Sequence, residues 1–122
     1  MQQVTISQNI IEIESNVFDG CNALTQIEIP PSVKKIGSFS FHNCRSIKQI
    51  TIPSTVEIIE NNAFDNCQSL EYINIPDKIT TINESTFQKC IALKHIILPS
   101  TLKSIKDRSF QECTSLEQII IP

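Results

Sequence analysis

Residues 63–76 read AFDNCQSLEYINIP, and with small changes this stretch occurs five times in the 122-residue chain. The cysteines stand at positions 21, 44, 67, 90 and 113, so each follows the previous one by 23 residues. Five of the six phenylalanines and five of the six prolines keep the same step. A self-similar period of roughly 20 to 29 residues is typical of stacked-coil proteins, in which neighbouring units bury each other's apolar faces. The sequence therefore predicts a solenoid.

The repeat divides the chain into units that we number as coils. A partial repeat covers residues 1–7, and the full repeats are coil 1 (8–30), coil 2 (31–53), coil 3 (54–76), coil 4 (77–99) and coil 5 (100–122). No linker, composition shift or low-complexity segment separates the units. We therefore expect a single domain over residues 1–122.

Three apolar patterns recur within each coil, and coil 3 illustrates them. Ile73 and Ile75 alternate with outward residues, which predicts a strand that ends at the following proline. Val56 and Ile59 predict a turn followed by a short extended segment. Phe64, Cys67 and Leu70 are spaced by three residues, which favours a single helical or 3₁₀ turn on the face opposite the strands. Equivalent residues of successive coils should form interior files, including one file of cysteines.

The consensus I-x-x-x-x-F-x-x-C-x-x-L-x-x-I-x-I-P-x-x-V resembles the BspA-like (Treponema-type) class of leucine-rich repeats, and the likeness covers essentially the whole chain. The resemblance implies an α/β repeat solenoid. Its coils would form a right-handed stack with a parallel concave sheet and short helical or 3₁₀ turns on the convex side. The resemblance also implies a role in protein recognition, since bacterial members of the class are surface adhesins.

The composition argues against two classes of partner. The net charge is only -3, and no run of Lys and Arg is longer than Lys34-Lys35, so a nucleic-acid partner is not expected. No apolar window reaches about 18 residues, so membrane insertion is not expected either. Met1 to Thr5 show neither the basic start nor the apolar core of a signal peptide. Free cysteines favour a reducing compartment and the family resemblance favours the cell surface, so the sequence leaves the location open.

No catalytic, cofactor or metal site is predicted. Zinc sites need ligand pairs about two to four residues apart, whereas these cysteines are never closer than 23 residues. His42 and His95 are the only histidines, and no Ser or Cys breaks the repeat in a way that suggests a nucleophile. We therefore expect a protein that is not an enzyme and has no cofactor.

The concave face carries the candidate binding residues. Its outward columns are polar in the first coils and become aromatic and aliphatic from coil 3 onward. The predicted protein-binding residues are Tyr72, Asn74, His95, Ile97, Gln118 and Ile120. Such an exposed patch indicates a contact site. Alternatively, the isoleucines only raise strand propensity, or a C-terminal extension covers them.

A neighbouring column alternates in charge. It reads Thr25, Lys48, Glu71, Lys94 and Glu117, and Lys34 and Glu57 repeat the alternation elsewhere. We expect each charge to pair with its opposite on the next coil.

Two functions from different classes follow. The first is a non-enzymatic protein–protein interaction module, in adhesion or surface recognition, that binds a protein ligand on the concave sheet. The alternative is a structural or self-associating spacer, a fragment of a longer array. In the second case an uncovered terminal coil would pair with another copy, because open strand edges invite pairing.

Overall fold

The computed structural model describes residues 3, 4 and 6–120, in which the backbone forms short strands joined by turns. The strands of this part are β1 (Gln3–Val4), β2 (Glu12–Ile13), β3 (Gln26–Ile27), β4 (Lys35–Ile36), β5 (Gln49–Ile50), β6 (Ile58–Ile59), β7 (Tyr72–Asn74), β8 (Thr81–Ile82), β9 (His95–Ile97), β10 (Ser104–Ile105) and β11 (Gln118–Ile120). Every pairing among them is parallel and joins residues 23 positions apart, as between Ile73 and Ile96. Like residues therefore lie over like in neighbouring coils.

The strands form two ladders along the stack. The odd-numbered strands build the first ladder, as the sheets β1-β3 and β5-β7-β9-β11. The even-numbered strands build the second, as β2-β4-β6 and β8-β10. The first ladder confirms the strands predicted before each proline, and the second comes from the predicted extended segments. We call the outward surface of the first ladder the sheet face.

The segment that carries the phenylalanine and the cysteine differs from the expectation of a helical or 3₁₀ turn. The described residues contain no helix there, and the backbone instead forms consecutive β-turns. In coil 3, the Ala63 N–H donates to the Glu60 carbonyl and the Cys67 N–H donates to the Phe64 carbonyl, both at 3.3 Å. The spacing of three residues reflects these turns, each closed by a bond between residues i and i+3.

Left-handed backbone explains why no helix forms in this segment. Asn62 has a φ of 60° and Asn66 a φ of 64°, and the other coils repeat positive φ at both positions. An L-residue in this conformation interrupts a right-handed helix. Phe64 lies between these two positions, and its N–H does not bond within its own coil. It donates to the Thr86 carbonyl of the next coil at 3.0 Å. The turns therefore bond coil to coil, as the strands do.

Aromatic rings and thiols fill the interior between the ladders. The Phe41 and Phe64 rings stack with centroids 5.3 Å apart and planes 1° apart, and both side chains are buried. The predicted interior file of cysteines is confirmed: Cys44, Cys67 and Cys90 are buried, and the peripheral Cys21 and Cys113 are partly exposed. Burying a large apolar side chain contributes about 1.5–3 kcal/mol. These files are therefore the main source of stability.

The ion pairs differ from those expected. Among the residues that the structure describes, no ion pair joins Lys48 to Glu71, Lys94 to Glu117 or Lys34 to Glu57. Instead, Lys35 lies 3.8 Å from Glu12 and 3.6 Å from Glu60. Lys35 pairs in the sheet with Ile58, so Glu60 reaches it diagonally.

Coil 2 provides the positive partner in these contacts. It carries Lys34, Lys35, Arg45 and Lys48 and no acidic residue, whereas coils 1 and 3 carry acidic residues and no Lys or Arg. Lys35 therefore lies between two anionic coils and contacts a carboxylate of each.

Candidate functional site

The structure brings the predicted binding residues together on the sheet face. In the ladder of β7, β9 and β11, Tyr72 pairs with His95 and Asn74 pairs with Ile97. The same two rows continue in β11 at Gln118 and Ile120. For Gln118 and Ile120 only the backbone placement is described, and their side chains lie outside the described part. Neighbouring strands are about 4.8 Å apart, so each row brings its residues into contact distance.

Three of these side chains face outward. Tyr72 is 46% exposed and Ile97 is 49% exposed, and His95 is also exposed. Ile73 and Ile96, which alternate with them, are fully buried. The alternation is that of strands with one face in the core. An aromatic, an imidazole and an aliphatic side chain therefore lie side by side on adjacent strands.

Asn74 has a different role from its neighbours. It is half-buried, its Nδ2 donates to the Ile52 carbonyl at 2.9 Å, and its Oδ1 accepts from the Ile52 N–H at 2.8 Å. Strand β5 ends at Ile50, so the Asn74 amide continues the bonding between coils 2 and 3 beyond the end of that strand. Asn74 therefore bridges two coils and offers little to a partner.

An open groove adjoins Tyr72, and the sequence analysis did not predict it. Its volume is about 1150 Å³, and it crosses the sheet face over coils 1 to 3. Its lining is mixed in polarity: Gln26, Glu28, Lys48 and Gln49 contribute polar groups, several isoleucines contribute apolar surface, and Tyr72 is also among the lining residues. The sequence predicts polar columns in these coils. It does not give the relative position of adjacent coils, which forms the groove. The sheet face thus combines a groove of mixed polarity with the patch of Tyr72, His95 and Ile97.

Four of the five thiols are held by hydrogen bonds within the fold. In coils 2 to 5 the thiol donates from Sγ to the phenylalanine carbonyl of the preceding coil, as Cys67 does to Phe41 at 3.1 Å. Burial raises the pKa of Cys44 to about 12 and that of Cys113 to about 11, and it also raises the pKa of Cys90. A neutral thiol is a poor nucleophile and a poor metal ligand. Within the described residues, no cluster of three His, Cys, Asp or Glu side chains could hold a metal ion.

His42 forms a polar cluster on the opposite side, among the β-turns. Its Nδ1 lies 2.9 Å from Asp19 Oδ1, and its Nε2 lies 4.0 Å from Asp65 Oδ2. The Phe39 ring meets the imidazole edge to face at 5.2 Å. The 23-residue spacing of Asp19, His42 and Asp65 could have revealed the cluster from the sequence. Through Asp19 and Asp65 these contacts join coils 1, 2 and 3, which supports a structural role for His42.

The described residues consist of strands and connecting turns, and no helix among them could span a bilayer.

Comparisons with known proteins agree with this architecture. The sequence profile of the BspA type leucine rich repeat region matches residues 1–117 in six copies. No curated protein is similar enough to count as a relative. Among solved structures, a leucine-rich repeat protein from Bacteroides ovatus is 41% identical, with a TM-score of 0.93. The alignment covers 97% of this chain and 30% of that one.

Two further structures extend the likeness. The leucine-rich repeat protein of T. pallidum is 28% identical with a TM-score of 0.92, over 97% of this chain and 57% of that one. A leucine-rich repeat protein from Eubacterium ventriosum is 23% identical with a TM-score of 0.92, over 100% of this chain and 33% of that one, and it supports the fold alone. The chain spans about a third to just over half of the length of these proteins.

Three findings therefore agree on one family: the 23-residue register of the strands, the parallel ladders and the profile match over residues 1–117. Repeats of this kind typically serve in protein interaction rather than in catalysis. The chain belongs to the BspA-type leucine-rich repeat family.

Proposed function

We propose that this chain is a non-enzymatic module that binds a protein through its sheet face, with Tyr72, His95 and Ile97 at the centre of the contact. The observation that carries the proposal is the exposure of these three side chains on adjacent strands over a buried core. Tyrosine is enriched among the residues that dominate binding energy, because it buries a large area at low entropic cost.

Exposed aliphatic side chains also occur elsewhere. Ile11 is 64% exposed and Ile58 is 48% exposed, and both lie on the side of the second ladder. Exposure alone therefore does not single out the sheet face. The sheet face differs because its apolar residues adjoin an aromatic ring, an imidazole and a groove whose lining includes charged and amide side chains. An apolar centre with a polar surround is the usual anatomy of a protein interface.

Selection of peptides tests the proposal without a known ligand. A phage-displayed peptide library is panned on the immobilised chain, and the selected peptides are tested against the double variant Tyr72→Ser/Ile97→Ser. The matched control is Ile11→Ser/Ile58→Ser, which removes two exposed aliphatic side chains from the other ladder. We expect the selected peptides to lose at least about tenfold in affinity for the first variant and to keep their affinity for the control. Peptides that depend on the control positions, or on neither pair, would contradict the proposal.

A further inference from the structure

The sheet face carries an exposed row of alternating charges beside the Tyr72 and Ile97 patch. The row consists of Lys48, Glu71, Lys94 and Glu117, one residue from each of coils 2 to 5, and all four are exposed. Backbone bonds join the row directly, from the Glu71 N–H to the Lys48 carbonyl at 2.7 Å and from the Lys94 N–H to the Glu71 carbonyl at 3.3 Å. The sign of the charge therefore changes at every strand, a step of about 4.8 Å.

The four charges of this row are not neutralised by ion pairs within the described residues. Among the described residues, none of the four takes part in an ion pair, although Lys35 does so with both of its acidic neighbours. A surface complementary to the row must present opposite charges that alternate at the same short step. The same row on a second copy of this chain has this spacing and this alternation. The sheet face is therefore complementary in charge to the sheet face of another copy.

We propose that the sheet face binds a second copy of this chain, with the two stacks antiparallel. This inference rests on the proposed function, because it uses the same face and names its partner. A two-fold axis parallel to the strands, between β7 and β9, places Glu71 opposite the partner's Lys94. Each such contact then occurs twice, as in any isologous interface.

The charges exclude an axis that passes through a strand. An axis through β7 would set Glu71 against its own copy, and an axis through β9 would do the same for Lys94, so like charges would repel. The axis between the strands instead sets Lys48 opposite the partner's Glu117. By the register of β7 and β9, it also sets Tyr72 opposite the partner's His95 and Asn74 opposite the partner's Ile97. Charge complementarity of this kind fixes register and excludes wrong pairings.

Charge reversal tests this arrangement. Glu71→Lys and Lys94→Glu each set like charges across the axis, so each variant alone should dimerise at least about tenfold more weakly than the wild type. In an equimolar mixture, Lys at position 71 of one chain meets Glu at position 94 of the other, and the reciprocal contact is wild-type. The mixture should therefore form a heterodimer nearly as tight as the wild-type dimer. Sedimentation velocity from micromolar to millimolar concentration at low salt measures all of these species.

The control is Lys103→Glu, which makes the same charge change as Lys94→Glu at an exposed position beside the second ladder and should leave dimerisation unchanged. Circular dichroism verifies that every variant is folded, and a mixture of misfolded variants could not regain association. A wild-type protein that is monomeric at millimolar concentration, or a mixture no more associated than its components, would overturn the second-copy proposal. Peptides that still require Tyr72 and Ile97 would then show that the proposed function stands without it.

Discussion

The thiol of Cys67 donates a hydrogen bond to the backbone carbonyl of Phe41, 3.1 Å away and 26 residues earlier in the chain. Cys44, Cys90 and Cys113 make the same bond to the phenylalanine carbonyl of the coil before them, at 3.0 to 3.2 Å. The cysteine is therefore a small apolar side chain that also satisfies a buried carbonyl. This double use explains the cysteine at this position of coils 2 to 5, although no disulfide forms among the five cysteines.

Stability should fall at alkaline pH because the thiols are buried. Burial raises the pKa of Cys44 from 9.0 to about 12 and also raises the pKa of Cys67. The contribution of each thiol is fully present below about pH 9 and is lost as the pH rises toward the folded pKa, because the unfolded chain releases its proton first. The free energy of unfolding, from urea titrations at several pH values, should fall by about 1.4 kcal/mol per pH unit for a fully buried thiol.

A matched variant isolates one thiol. Cys67→Ala should reduce the pH dependence of the free energy of unfolding by the contribution of one thiol. This reduction is separate from any loss of stability that the smaller side chain causes through packing. A free energy of unfolding that does not change from about pH 9 to pH 11 would show that the thiols are accessible.

Removal of the central phenylalanine should destabilise the stack strongly. Phe64→Ala deletes a buried ring that stacks on Phe41 at 5.3 Å and on Phe87 at 5.7 Å. We expect a loss of about 3–5 kcal/mol in the free energy of unfolding by urea titration. Phe39→Ala is the control, because Phe39 lies outside the ring file, and it should cost much less. Equal losses would refute the assignment of the stability to the ring file.

Asn74 should matter for stability rather than for recognition. Asn74→Ala removes both bonds to Ile52 and leaves the Ile52 N–H and carbonyl without that partner. The expected cost is about 1–3 kcal/mol in the free energy of unfolding. Ile97→Ser, at the equivalent position of coil 4, removes no such bond and should cost little. If Asn74→Ala is as stable as the wild type, the bridge between coils does not contribute.

The charge of coil 2 should make stability depend on salt. Lys35→Glu replaces two attractive contacts, with Glu12 and Glu60, by two repulsive ones. All three side chains are partly exposed, so we expect only about 1–2 kcal/mol of destabilisation at low salt, and most of it should vanish in about 1 M NaCl. Lys103→Glu changes the net charge equally without breaking an ion pair and serves as the control. An effect of Lys35→Glu that is independent of salt, or shared by the control, would contradict this reading.

The register of the stack was predictable because the period is constant. With a constant period, only one alignment of neighbouring coils places equivalent residues over each other. The interior files of Phe64 and Cys67, and the outward placement of Tyr72 and Ile97, follow from that period and from strand alternation. The turn geometry was not predictable, because a spacing of three residues fits a helical turn and a series of β-turns equally well. Phe39 and Lys89 occupy left-handed positions without being Gly or Asn, so the residue types do not reveal the backbone there.

The charge contacts were predictable only in part. Residues of opposite sign at equivalent positions, such as Lys48 and Glu71, lie on adjacent coils, yet their long side chains point into solvent and do not pair. Lys35 and Glu12 occupy equivalent positions of neighbouring coils, so their contact could be predicted from the repeat. Glu60 is not at the position equivalent to Lys35, so their diagonal contact could not. The bridge from Asn74 to Ile52 likewise depends on where β5 ends. Strand ends and side-chain directions are set by local packing rather than by the period.

The in-register stacking of 23-residue coils is the central claim, and nuclear Overhauser contacts in solution test it most directly. The account predicts cross-strand contacts between backbone protons around Ile73 and Ile96, and contacts between the ring protons of Phe41 and Phe64. Cross-strand contacts that indicate a pairing offset other than 23 residues, or phenylalanine rings without mutual contacts, would contradict it.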